Sequence, residues 1–335
     1  MIRTRLTRAA ACALALAGLG AGAGVAQAAR APPAPRAANG AKVQTVARGV
    51  PTPTQFAFAD GTVFAAAAGA EDGSAPGGVF VLADGRARRV PGSPRSAFGI
   101  AWHQDALFVA SGPRIVALRG WDGARFAGKE TIYTGPRGFP GFNGIAIGPD
   151  GLIYAGVTMT AKGDARKVDA PFAQSIVTLT TAGEDARVHA RGLRQPWMIA
   201  FAGGQKLPYA TALGQENLGR RQPPDYVIKP RPGDDYGFPA CNWSRPPACR
   251  RFAKPIALLP AHSSPMGLGA IGDRLYLALF TGTGRGPEVV SIPLKGGGRT
   301  TPLLTRFAAP VVALGTHDGY VYAGDVTGAV YRVKA

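Results

Sequence analysis

The sequence predicts an all-β fold, a six-bladed β-propeller closed by an N-terminal strand, and three observations carry that expectation. The chain of 335 residues holds 47 glycines and 29 prolines and shows almost no helical periodicity, so short strands and tight turns dominate. A unit recurs: a small apolar strand, a turn with Asp-Gly or an equivalent, a strand ending in Tyr or Phe, then a third strand and a polar tail. Its starts fall at Phe56, Ile100, Ile145, Ile199, Leu268 and Val312, spaced 44, 45, 54, 69 and 44 residues apart. A repeat near 45 residues built of several short strands is the signature of propeller blades, whose sheets cover one another's faces when packed radially. The third observation is a leftover strand, Val43–Ala47, ahead of the first unit. The sixth unit ends straight after its third strand, and the leftover strand can complete it and remove an exposed edge.

In chain order, Arg3, Arg5 and Arg8 precede an apolar run from Ala9 to Val25, and Ala26-Gln27-Ala28 supplies a small-x-small cleavage pattern. Residues 1–28 therefore read as a signal peptide, and the mature chain as secreted or periplasmic. No later stretch is long and apolar enough to cross a bilayer. Residues 29–40, rich in Ala and Pro, read as a disordered tether, and 41–335 as a single propeller domain. Of 38 lysines and arginines the signal peptide holds three and no acid, which leaves 35 bases against 20 acids. The bases are scattered through turns. That points to general attraction toward anionic cell-envelope polymers rather than to a nucleic-acid site.

The second strands of the units fall at Thr62–Phe64, Ala106–Val109, Leu152–Tyr154, Leu207–Tyr209, Arg274–Leu277 and Tyr320–Tyr322. Third strands follow at Val79–Leu82, Ile115–Leu118, Ser175–Leu179, Val289–Ile292 and Ala329–Val333. The fourth unit breaks the rhythm with an insertion over about 213–260, placed at one rim above the central channel, where propellers bind ligands. Cys12 leaves with the signal peptide. Cys241 and Cys249 remain, close together in an exported chain without CxxC spacing or a neighbouring histidine, and read as a disulfide.

P-loop, GxSxG and HExxH patterns are absent, and the four histidines lack metal-ligand spacing. The informative stretch begins at Gly192-Leu193-Arg194-Gln195-Pro196-Trp197 and continues through Leu213-Gly214-Gln215-Glu216-Asn217-Leu218-Gly219 and Pro223-Pro224-Asp225-Tyr226. Gly233-Asp234-Asp235-Tyr236-Gly237-Phe238-Pro239 and His262-Ser263-Ser264-Pro265-Met266-Gly267-Leu268 follow. This order resembles the glucose/sorbosone dehydrogenase family, six-bladed propellers that hold pyrroloquinoline quinone (PQQ) and calcium over the channel. The resemblance spans residues 54–333 and is specific within 192–268.

It implies oxidation of a sugar or polyol, with hydride passing to the quinone. Arg194 and Gln195 match the pair that contacts the quinone, and Arg285 falls near a basic residue of the family's rim. Carbonyls at Gly214 and Gln215, with Asp225 and Tyr236, match the calcium ligands. His262 is the candidate for acid–base work.

Other positions depart from the family pattern. Pro140 stands where the general-base histidine is expected, Phe307–Pro310 replaces an arginine-bearing segment, and Arg220 and Arg221 occupy the centre of the calcium loop. Two alternatives follow: a catalytically inactive propeller binding a glycan, cell-wall polymer or protein, and a calcium-dependent lactonase-like hydrolase using Asn143 and Asp325.

Overall fold

Runs of Ala, Val, Ile, Leu and Phe form the strands because each sheet is covered on both faces; Phe64, Ala65, Ala66 and Ala67, four in a row, are all fully buried. Hairpin turns between them have the backbone such connections need. Asp318 and Gly319 both have positive φ (49° and 76°), a conformation that matches the twist of the flanking strands.

A computed structural model describes residues 32–335 apart from 60, 160–169, 217, 219–221, 245 and 298. The signal peptide, Arg220 and Arg221 lie outside the described residues. Two short strands come first, β1 (Arg36–Ala37) and β2 (Gln44–Arg48). Blade I is β3 (Pro53–Ala59), β4 (Thr62–Gly69), β5 (Pro76–Ala83) and β6 (Gly85–Arg89). Blade II is β7 (Gly99–His103), β8 (Ala106–Ser111), β9 (Arg114–Trp121) and β10 (Phe126–Thr134). Blade III is β11 (Phe142–Ile147), β12 (Ile153–Val157), β13 (Ser175–Leu179) and β14 (Arg187–Arg191). Blade IV begins with β15 (Gln195–Ala200), β16 (Tyr209–Leu213) and β17 (Asp225–Ile228); after β18 (Asp234–Asp235) it is completed by β19 (Ala257–Leu259). Blade V is β20 (Pro265–Ile271), β21 (Arg274–Leu279), β22 (Glu288–Pro293) and β23 (Thr301–Thr305). Blade VI is β24 (Val311–His317), β25 (Tyr320–Asp325) and β26 (Val330–Lys334).

The ring closes as the repeat predicts. β2 pairs antiparallel with β26, Gln44 opposite Arg332, and so becomes the outer strand of blade VI. The inner strands then contact one another in one cycle, β3, β7, β11, β15, β20, β24 and back to β3. Six apolar clusters match the six blade interfaces. Phe64, Val79 and Leu107 join blades I and II, Phe108, Ile145 and Val177 join II and III, and Tyr154, Ile199 and Tyr226 join III and IV. Met198, Leu268 and Val290 join IV and V, Val289, Leu314 and Tyr331 join V and VI, and Phe56, Ala65 and Tyr322 join VI and I.

A Cβ added to Gly144 would lie 2.3 Å from the Met198 sulfur, so only glycine lets β11 and β15 approach there. Gln55 spans three inner strands: its Nε2 donates to the Ile145 carbonyl (2.7 Å), and its Oε1 accepts from Ile100 N (3.0 Å) and Ile145 N (3.2 Å).

Two expectations are corrected. Part of the tether is ordered, for Arg36 and Ala37 pair with Thr305 and Leu304 of β23, and Ala37 packs on the V–VI cluster. These two residues cover an otherwise open sheet edge. The stretch 213–260 is not one insertion over the channel. It contains two strands of blade IV, and the segment between them runs along the outer edge of blade III, where β18 pairs parallel with β14. The cysteine loop lies there, Cys241 bonded to Cys249 with a Cα–Cα distance of 5.1 Å.

Candidate functional site

The loops that enter the inner strands and those that join second to third strands share one face of the ring, here the upper face. Arg194 stands just before β15, Asp225 opens β17, and Ser263 and Ser264 precede β20. The structure brings them together between blades IV and V. Asp225 is buried; its Oδ1 accepts from Gly214 N (2.7 Å), and its Oδ2 accepts from Ser264 N (2.7 Å) and Ser263 Oγ (3.2 Å). Burial pushes the Asp225 carboxyl above the usual range, and those three donors, with the nearby His262, oppose the rise. Arg194, only 2% exposed, donates from Nη1 to the Gly214 carbonyl (2.7 Å), and its Nη2 lies 4.0 Å from Glu216 Oε2. Gly214 is thus held on both its backbone groups, and the whole is a clasp that fastens the 214–224 loop of blade IV to the entry of blade V.

The entry itself is shaped for this. His262 and Ser264 are non-glycine residues with φ of 58° and 51°, which turn the backbone so that Ser264 N points at Asp225. The His262 carbonyl accepts from the Thr281 hydroxyl, and the exposed imidazole stays on the rim.

Blades V and VI repeat the device. Glu288 Oε1 accepts from Thr283 N (2.8 Å) and Thr283 Oγ1 (2.5 Å), and Asp325 Oδ1 accepts from Thr327 N (2.9 Å) and Thr327 Oγ1 (2.5 Å). Both carboxylates are buried. Sequence reasoning missed Glu288, although an acid beside a Gly/Thr-rich loop, Thr281–Gly286, was the available signal.

The remaining assigned residues are dispersed. Gln195 is half-buried in β15 opposite Leu213, and Arg285 is exposed on the 279–288 loop. The Tyr236 side chain is packed at the flank of blades III and IV with Tyr226, Trp243 and the disulfide, and burial holds its phenol well above the ordinary value. Pro140 lies between Phe139 and Phe142, whose rings meet at 4.7 Å, so aromatic packing fills the place expected for a base. Phe307 packs against Tyr331, and Arg306 is exposed. The lactonase pair is separated into two structural roles: Asn143 Nδ2 donates to the Pro196 carbonyl (2.7 Å), while Asp325 secures its own loop.

Arg194 and Arg285, as they stand, do not fit the carboxylates of a quinone. Among the described residues no three His, Cys, Asp or Glu side chains gather to hold a metal. A tricarboxylate quinone needs cationic partners; Arg194 is turned inward onto Gly214 and Arg285 stands out in solvent.

No family model matches the chain, and no curated protein matches it. Solved structures do. The PQQ-bound aldose sugar dehydrogenase of Streptomyces coelicolor aligns with a TM-score of 0.69 at 20% identity, over 90% of this chain and 99% of that one. A carbohydrate-active enzyme of family AA12 from Trichoderma reesei aligns with a TM-score of 0.72 at 16% identity, over 90% and 98%. A gluconolactonase of Xanthomonas campestris aligns less closely, with a TM-score of 0.60 at 14% identity, over 91% and 95%. The chain has the fold of these propellers.

Proposed function

We propose that the protein is an exported carbohydrate-binding propeller on the glucose/sorbosone dehydrogenase scaffold, with the oxidising centre replaced by the Asp225 clasp. One observation carries this reading: Arg194 and Asp225, two of the residues assigned to cofactor and metal, are buried and engaged with Gly214, Ser263 and Ser264. Position 140 adds to it, since proline cannot accept a proton. The upper rim still offers the exposed His262, Thr281 and Arg285 and the half-buried Glu216 to a ligand's hydroxyl groups.

The competing reading is oxidation of a sugar or polyol with PQQ and calcium bound. The shared fold and the exposed His262 beside Asp225 favour it. Dye-linked oxidation of a panel of aldoses, sorbosone and polyols, with calcium and PQQ supplied, separates the two. The protein should turn over feebly or not at all, because loss of a general base costs about 10²–10⁴ in rate. Brisk turnover that disappears in His262→Ala would establish the competing reading.

A further inference from the structure

At the opposite, lower mouth of the channel lies an open cup of about 320 Å³, lined by Gln55, Phe56, Phe58, Trp102, Ile147 and His317, with alanines between them. A volume of that size lies within the range of small-molecule sites. Its walls combine two chemistries. The first is aromatic. Phe58 and His317 are stacked, centroids 4.7 Å apart and planes within 6°, and Trp102 is half-buried with Phe64 behind it, parallel within 8°.

The second chemistry is backbone. β3, β7 and β11 are the last strands of their sheets and have one unpaired edge facing the channel. In such a strand the N–H and C=O of one residue point to the same edge, and the next residue's point to the other. Ile100 and Ile145 give their channel-facing groups to Gln55. Two residues further on, Trp102 and Ile147 must aim theirs into the cup, as must Phe58, which stands at the same place in the first unit. Blade V confirms the alternation: Ala270, the corresponding residue there, has its N–H and C=O served by Thr316 Oγ1 at 3.3 and 3.0 Å. Among the described residues no side chain does this for Phe58, Trp102 or Ile147. Three strand edges therefore present donors and acceptors beside aromatic faces, with no Asp, Glu, Lys or Arg on the lining, and the His317 ring already has Asp318 Oδ2 3.2 Å from its Nε2.

We infer that the lower mouth binds a single neutral pyranose ring. Its C–H face lies on the Trp102 or Phe58–His317 walls, and its hydroxyls bond the free groups of Phe58, Trp102 and Ile147. A charged ligand would find no unpaired counter-ion on the lining, and a purely apolar one would leave those backbone groups unpaired. The site rests on the cup's own lining, apart from the upper-face reading.

The test uses the full mature protein labelled with 5-fluorotryptophan, titrated with methyl β-D-glucopyranoside and methyl α-D-mannopyranoside and read by fluorine NMR. The Trp102 line is assigned by its loss in Trp102→Phe. A neutral glycoside should shift that line saturably at millimolar concentration while the Trp243 line stays fixed, and Phe58→Ala should weaken binding about tenfold. The inference is overturned if neither glycoside moves the Trp102 line, or if the lines of all four tryptophans move together without saturation. It is also overturned if an apolar dye moves the line and no glycoside competes with it. If Phe58→Ala fails to fold, the wild-type titration decides alone.

Discussion

At Asp225 a carboxylate that its motif assigns to a metal is instead the acceptor for two backbone N–H groups and a serine hydroxyl. Truncation to Asp225→Ala strands Gly214 N and Ser264 N in a buried place, at about 1–3 kcal/mol for each. Denaturant titration should show a loss of about 2–5 kcal/mol, with Asp225→Asn between the two because its amide turns a donor toward one of these N–H groups. A variant within about 0.5 kcal/mol of wild type would show that the clasp holds nothing. His189 gives a pH test. It is buried, with Nε2 3.3 Å from the Pro230 carbonyl, and burial pushes the imidazole below its ordinary value of 6.5. Stability from the neutral ring is present above the unfolded value and is lost as pH falls through and below it. The melting temperature should therefore drop on going from about pH 7.5 to 5, and His189→Gln should drop less. Equal drops would remove His189 from the account.

Among the elements, closure and the cysteine loop make separate demands. Deleting residues 41–49 removes β2 and opens both β26 and β6, which it joins. Deleting 32–40 removes only the two-residue β1 and its alanine contacts on blade V. The first truncation should lower the melting temperature far more than the second, and the second should still lower it measurably; equal effects would contradict closure by β2. The Cys241–Cys249 bridge closes a short loop and should add about 2–3 kcal/mol, read as the stability lost on reduction. Most inner strands were legible because Phe56, Ile100, Ile145, Leu268 and Val312 recur at regular spacing before a turn. The inner strand of blade IV was legible too, at Ile199, but its third and fourth strands were not, because β17 is only four residues long and sits between Pro-rich segments. With its third strand hidden, the chain from 213 to 260 read as one insertion. β1 was hidden for a different reason: two residues of Arg and Ala carry no strand pattern, and only the open edge of β23 makes them one. At the site, Arg194, Asp225 and His262 come from three separate motifs that the fold brings together, but no motif says whether a carboxylate oxygen meets a cation or an N–H. The lower cup was illegible, since Phe58, Trp102 and His317 lie in three different blades.

Over the whole molecule, six apolar interfaces hold a ring whose two mouths differ. The upper loops are tied down by buried carboxylates at Asp225, Glu288 and Asp325, and Gln55 ties the inner strands of blades I, II and III together below them. Below lies the cup, lined with aromatic rings and free strand edges. Such a body shares its fold with quinone-dependent sugar dehydrogenases while its own arginine and aspartate serve architecture. The central claim is that the buried Arg194–Asp225 clasp stands where the fold's quinone and calcium would be held. Calorimetric titration of PQQ into the mature protein, in the presence of calcium, tests it most directly. The account predicts no micromolar binding, and the same absence of heat when calcium is withheld. Micromolar binding that requires calcium and is lost in Arg194→Ala, with that variant still folded, would contradict it.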